Sequence, residues 1–571
     1  MENPSKSLVD QSVDAGSRGG FRVVQRTIMR GAQELDVRAL YMGAVTSMAS
    51  SDDGSSGSSG SDESSADSSG SGGSAPQADS SMMGFGSVDE HNHTVANEGR
   101  RITFGTYFNA FPASYWRRWS AHRSVRLVAR VRGTGSLIVY RSTARGHVLR
   151  THAVPVNSEV STEVALDLTF EPFIDGGWYW FDLEAGDGDL VLEEAEWLIE
   201  TDRQESGRVT IGITTFNRPD FCADQLVALS ENPSTLELID EVIVVDQGTK
   251  KVVQTDKYAE AKAVLGDRLR VIDQPNLGGS GGFSRVMSET LQRGDSDYVL
   301  LLDDDVVCEL EGIRRAIAFA DLAKQPTLVG GHMFSLYDRT VMHAYGESMS
   351  KWTWYWGASP ATKESHDWAR RPLRSTPWLH RRIDVDYNGW WMCLIPTSVI
   401  REIGLSLPMF IKWDDAEFGL RAAKAGFPTV SLPGVAVWHV PWTEKDDTLD
   451  WQAYFHERNR LVSALLHSPY DHGGRLVAES LTNHMKRLVS MQYGTGEIIM
   501  LALEDVLEGP ERMHRDMSER LPHLRQLVQN YDDARTNPDL DLFPQPKMKR
   551  PPRKGKGVAN PTSISGKLMM A

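Results

Sequence analysis

The 571-residue chain has only three cysteines, Cys222, Cys308 and Cys393, widely spaced and without a Cys-x-x-Cys pair. That excludes a disulfide framework and a thiolate zinc cluster, and it reads as a reducing compartment. No run of 18 apolar residues occurs, and the N-terminus lacks the basic-then-apolar pattern of a secretion signal. The expectation is a cytosolic protein, at most peripheral to a membrane. A basic balance is also missing: the net charge of −16 argues against nucleic acid as a partner, because such binders carry a basic footprint. Between Arg38 and Arg100 there is no Lys or Arg at all. Over residues 47–90 the composition collapses to Ser, Gly and Asp. Such a stretch buries too little apolar surface to offset the entropy of ordering it, and it reads as a disordered insertion.

What remains is ordinary for a soluble chain of several domains, with 40% hydrophobic and 24% charged residues. Residues 1–46 hold a few apolar positions (Phe21, Val23, Val24, Ile28) that suit one strand of a neighbouring sandwich. Residues 91–205 carry short, alternating, aromatic-rich runs punctuated by Gly, Asp and Asn, the pattern of an antiparallel β-sandwich. Within them, Tyr115-Trp116-Arg117-Arg118-Trp119 reads either as a packed sandwich edge or as a sugar-binding platform. Residues 206–446 alternate strand and helix periods, which predicts βαβ units and a parallel, Rossmann-like sheet of the α/β class. Residues 447–543 are helical in spacing. The Pro/Lys/Arg-rich tail, 544–571, reads as disordered and has six basic residues between Lys547 and Lys556. It suits two roles: a solubilising tail, or attachment to an anionic membrane at about 1 kcal/mol per basic residue.

The chemistry gathers where the apolar run Tyr298–Leu302 stops in Asp303, Asp304 and Asp305. Ligands of open α/β sheets collect beyond the carboxyl ends of the strands. A side-chain period of two puts Asp303 and Asp305 on one side and Asp304 on the other. Two hard oxygens on one side suit Mg²⁺ or Mn²⁺, the ion that a nucleotide-sugar transferase needs against a diphosphate leaving group. A neutral histidine would extend the shell. His439, in Trp438-His439-Val440-Pro441-Trp442, is the candidate, although a histidine among aromatics also suits a core position. Trp413-Asp414-Asp415-Ala416-Glu417 offers an apolar platform and carboxylates for a general base. One of its two Asp residues can instead cap the helix that follows. A glycosidase-like carboxylate pair is conceivable, but it leaves the Asp cluster without a purpose. Gly278-Gly279-Ser280-Gly281-Gly282 reads as a flexible loop before a helix, with amides able to approach phosphate or sugar.

Together these segments resemble the inverting glycosyltransferases of family 2, with the GT-A fold. More narrowly, Phe216-Asn217-Arg218-Pro219, Val245-Asp246-Gln247-Gly248, Gln274–Gly282, Arg382–Trp391 and Ala110–Trp119 resemble the actinobacterial polymerising galactofuranosyltransferases. The resemblance implies a GT-A domain with an N-terminal β-sandwich and a C-terminal helical region. It implies transfer from UDP-galactofuranose to a polyprenyl-diphosphate-linked galactan, with alternating β-(1→5) and β-(1→6) linkages. It also implies that Arg218, Gln247, Asn276 and Asp303 bind the donor, with Asp304, Trp413 and Asp414 beside the substrates. Asp303, Asp305 and His439 would hold Mn²⁺ or Mg²⁺, Asp415 would be the base, and His456 would contact donor phosphate or acceptor. A homo-oligomer resting on the inner face of the plasma membrane is implied as well. The rival readings are a family-2 transferase of another sugar, or of one or two residues only, and a non-catalytic carbohydrate-binding protein.

Overall fold

A computed structural model of the chain describes residues 19–29, 34–45, 86–441, 447, 449–535 and 539. Most of the expected insertion, the whole basic tail and Trp442 lie outside the described residues. The last residues of the insertion as drawn from sequence, Gly86–Val88, form a strand paired with Thr94–Ala96, so ordered chain begins before residue 90.

The chain divides into two compact units. The first comprises the described residues up to Arg117, His122–Asp202 and Trp368–Arg381. Its frame is three long antiparallel strands, Ser124–Ser142, Val148–Thr169 and Tyr179–Glu200, the first lying in the middle and pairing with the other two. In the first of these, Val125, Leu127, Ala129 and Val131 are buried and alternate with Arg126, Val128 and Arg130, as a half-buried sheet requires. Arg101–Thr103, Thr94–Ala96 and Phe21–Arg26 pair with successive stretches of Tyr179–Glu200. The last of them is the strand expected from the N-terminal segment. Phe111 stacks on Trp116, Phe170 and Trp197 at 6.0, 6.0 and 5.0 Å between centroids. Tyr115 and Trp116 are each 2% exposed on a helix, Ala113–Trp119, so their rings are core rather than a sugar platform. The segment Trp368–Arg381, which linear boundaries place with residues 206–446, belongs to this unit. The Trp178 indole N–H donates to the Leu379 carbonyl (3.0 Å), and Arg374 pairs with buried Asp182 (2.7 Å).

The second unit holds a ten-stranded mixed sheet. Leu269–Asp273, Ile239–Asp246, Val209–Thr215 and Tyr298–Asp303 lie side by side and parallel. Tyr298–Leu302 is buried throughout, as expected of a strand covered on both faces. Beyond it the sheet turns mixed: Met392–Pro396 runs antiparallel, followed by Leu328–Ser335, with Thr429–His439 parallel to the latter. Just past the Asp cluster, Val306–Cys308 pairs with Thr429–His439 and sets Val306 opposite His439. That pairing brings two sequence regions more than 100 positions apart to one sheet edge.

The glycine-rich stretch is not a free loop. It forms the first turn of the helix Gly278–Arg293. Gly278 sits at φ +68° against the Phe410 carbonyl, and a Cβ at Gly282 would lie 2.3 Å from the Thr214 methyl. These glycines let the helix approach the strand Val209–Thr215 closely. After the sheet, the described C-terminal region is helical: Gln452–His467, Leu476–Val489, Tyr493–Glu508 and Met513–Val528. Tyr454, Phe455, Ile498 and Leu524 bury the first of them against its neighbours and against Phe410.

Candidate active site

The ends of the parallel strands converge as the sheet order dictates. Asp303, Asp305 and His439 place one ligand atom each within 4.8 Å of one another. The His439 Nε2 lies 3.0 Å from Asp305 and 3.8 Å from Asp303. Its Nδ1 is 2.6 Å from the Val440 carbonyl, so the Nδ1–H donates there and Nε2 is turned toward the carboxylates. A bare lone pair facing two carboxylates is repelled, so the position calls for a proton or a cation. Two hard oxygens and one imidazole fit Mn²⁺ well and Mg²⁺ adequately. Burial would raise the Asp305 carboxyl, but the hydrogen bond and charge of His439, together with Arg218, hold it down at about 2. Arg218, at the N-cap of the helix Pro219–Ser230, pairs directly with Asp305. Asp304 sits apart from this group; burial, then the charge of Asp305, pushes it up to about 7.

Two cavities meet here. One, of about 250 Å³, lies over the strand ends and is lined by Thr215, Arg218, Gln247, Asn276, Asp303 and Asp304. The other, of about 290 Å³, is lined by Glu347, Trp356, Trp391, Asp414, Asp415 and His456. They share Gly279, Phe283, Asp303 and Ile411. In the first cavity Gln247 is largely occupied with its own scaffold. It accepts from the Leu277 amide (2.8 Å) and donates to the Gly278 carbonyl (3.0 Å), bracing the loop that carries Asn276.

In the second cavity Trp413 is 2% exposed, its ring edge-on to Trp356 at 4.7 Å, so Trp356 presents the more open face. His456 stacks on Trp356 at 5.1 Å, and its Nε2 is buried without a partner among the described residues. Burial holds this imidazole down at about 4, neutral at physiological pH. Asp415 accepts from the Ala416 amide (2.7 Å), which engages one carboxylate oxygen at the start of the helix Asp414–Lys424. Burial raises both Asp414 and Asp415, and the charge of Asp415 raises Asp414 further. A raised carboxylate is a stronger base.

The loop leading to these residues is strained: Phe410, Lys412 and Trp413 have φ of +69°, +65° and +73°. Asn459, fully buried on the helix Gln452–His467, donates to the carbonyls of Met409, Ile411 and Lys412 at 2.9–3.0 Å and holds it. Sequence reading missed Asn459, Lys412 and Glu347. Glu347 lines the second cavity, and burial, then the charge of Asp415, pushes it up to about 8. Its local sequence, Gly346-Glu347-Ser348, carries no signal; Lys412 adjoins Trp413 and was within reach of the motif.

Three family models match the chain: "Galactofuranosyltransferase 2 N-terminal" over residues 84–200, "Glycosyltransferase like family 2" over 207–464, and "Galactofuranosyltransferase-2, domain 3" over 476–571. The curated galactofuranosyltransferase GlfT2 of Mycolicibacterium smegmatis is 45% identical over 452 residues, 78% of this chain and 69% of that one. Its namesake from Mycobacterium tuberculosis is 43% identical over 475 residues, 82% of this chain and 74% of that one. Among solved structures, a mannosyltransferase from Pyrobaculum calidifontis in complex with GDP-Man and Mn²⁺ aligns at TM-score 0.30 and 11% identity, covering 58% of this chain and 86% of that one. At 43–45% identity over most of the chain, and with three models matching between residues 84 and 571, the chain belongs to the family of galactofuranosyltransferases within the family-2 glycosyltransferases.

Proposed function

We propose that this galactan-synthesising galactofuranosyltransferase uses UDP-galactofuranose as donor and a polyprenyl-diphosphate-linked galactan as acceptor, building alternating β-(1→5) and β-(1→6) linkages at one site by single inverting displacement. The observation that carries this reading is the pair of cavities meeting at Asp303. One has the polar strand ends that suit a nucleotide diphosphate, and the other has the tryptophans and carboxylates that suit a sugar hydroxyl and its base. Arg218, Gln247 and Asn276 take the donor, and Trp356, Trp413, Asp414 and His456 shape the acceptor side. Asp415 removes the proton from the attacking hydroxyl. The new C–O bond forms on the face of the galactofuranose opposite the departing UDP oxygen, which keeps the electron pair of the broken bond. Asp303, Asp305 and His439 would hold the divalent ion, Mn²⁺ or Mg²⁺, whose charge stabilises the leaving diphosphate.

Asp415→Ala is expected to lower turnover by roughly 10²–10⁴, the usual size of a general-base contribution, while leaving UDP binding largely intact. Asp303→Ala is expected to weaken both. Near wild-type transfer by Asp415→Ala would overturn the assignment.

We further propose a homo-oligomer working against the inner face of the plasma membrane. Val477, Leu481 and Met485 form an i, i+4, i+8 stripe along the helix Leu476–Val489 and are 71%, 61% and 50% exposed, which suits burial against a second copy. No described helix is long and apolar enough to cross a membrane.

A further inference from the structure

The cavity assigned to the donor has a wall that the strand ends do not supply. Trp451, at the N-cap of the helix Gln452–His467, lines it, as do Leu521 and Arg525 of the helix Met513–Val528. Arg525 is exposed, and among the described residues its one recorded contact is with the Trp451 ring, at 5.8 Å. Its neighbours on the same helix are differently employed. Arg520 pairs with Asp505 and Asp516, and Arg512, just before the helix, pairs with the same two carboxylates. Trp451 is itself held edge-on by Phe410 (6.5 Å) and Phe455 (6.0 Å), so the platform under the guanidinium is rigid.

The charge balance of the cavity gives Arg525 a purpose. At the strand ends the carboxylates of Asp303, Asp304 and Asp305 face one guanidinium, Arg218, which is already paired with Asp305. A divalent ion there brings the local charge only to about neutrality, before a diphosphate with two or more negative charges arrives. Lys412, in the adjoining cavity, is paired with Asp447. Arg525 is the further cation lining the cavity among the described residues.

We infer that Arg525 binds the diphosphate of the nucleotide donor, so that the last C-terminal helix completes the donor site. The inference rests on the donor reading of this cavity. Calorimetric titration of the Mn²⁺-loaded full-length protein with UDP and with uridine tests it. Arg525→Ala is expected to weaken UDP roughly tenfold or more, as loss of a charge-assisted contact does, and to leave uridine unchanged. Arg525→Lys retains part of the affinity. In turnover, the donor KM rises in parallel while the acceptor KM stays within about twofold. Unchanged UDP affinity in folded Arg525→Ala overturns the inference, as does an equal loss for UDP and uridine, which would mark a packing role. A rise confined to the acceptor KM overturns it too, by moving the contact to the diphosphate of the acceptor lipid. If the wild-type protein bound no UDP, the donor reading itself would fail; if wild type and Arg525→Ala bound it equally, only this inference would.

Discussion

Asn459 gives the sharpest test of how the helical region governs the chemistry. Its side-chain amide holds three carbonyls, one buried and two half-buried, of a loop in which Phe410, Lys412 and Trp413 occupy left-handed backbone conformations. Each such conformation costs on the order of 1–3 kcal/mol for a non-glycine residue. In Asn459→Ala the Met409 carbonyl keeps Arg458 as donor at 2.8 Å, but those of Ile411 and Lys412 lose theirs. At roughly 1–3 kcal/mol for each orphaned carbonyl, partly recovered as the loop relaxes toward water, about 2–4 kcal/mol is withdrawn from the conformation that presents Trp413 and Asp415. With about 1.4 kcal/mol per decade, kcat should fall by roughly 30- to 1000-fold. The assay is galactofuranose transfer to a short galactofuranoside, with UDP titration and thermal unfolding on the same preparation. UDP affinity should fall by less than about tenfold, because the strand ends that line the donor cavity are untouched. A folded Asn459→Ala protein that turns over within about threefold of wild type would refute the reasoning.

Other consequences can be checked independently. EDTA should abolish transfer and Mn²⁺ restore it, and His439→Ala should raise the Mn²⁺ concentration needed by about 10–100-fold, read from activity against free metal. Glu347 is held protonated by burial, with a folded pKa of about 8 against an ordinary carboxyl value near 4.5. Its protonated form is therefore compatible with the fold at low pH, and the burden of ionising it grows as pH rises from the unfolded value through about 8. Glu347→Gln should be nearly neutral for thermal stability at pH 5 and stabilising at pH 9; equal unfolding temperatures of the two proteins at pH 9 would contradict this. Leu481→Asp, in the middle of the exposed stripe, should shift the mass in analytical ultracentrifugation toward a single chain, and an unchanged mass would remove that face from the interface.

Much of the fold is legible in the chain because periodicity is local. The apolar run Tyr298–Leu302, the strand–helix alternation from Val209 and the helical spacing after Thr448 each report the burial of one face or two. The same holds for the carboxylates at the strand end, whose period of two sets Asp303 and Asp305 apart from Asp304. Local signals mislead where packing overrides them. The glycines at 278–282 read as a loop, yet close approach to Thr214 and Phe410 makes them the start of a helix. Tyr115 and Trp116 read as a sandwich edge or a sugar platform, yet they lie on the helix Ala113–Trp119, with Trp116 stacked on Phe111 in the core.

Sequence alone pointed to most element types, to the carboxylates at the strand end and to the Trp-Asp-Asp element, since each is written within a few consecutive residues. Tertiary structure decided which of these meet. His439 reaches Asp305 because Val306 pairs with it across the sheet, and the helical region reaches the loop before Asp415 through Asn459. Glu347 and Arg525 enter cavities from elements whose own residues announce nothing. Backbone conformation is set by neighbours along the chain, whereas the company a side chain keeps is set by sheet order and packing, which couple residues far apart in it.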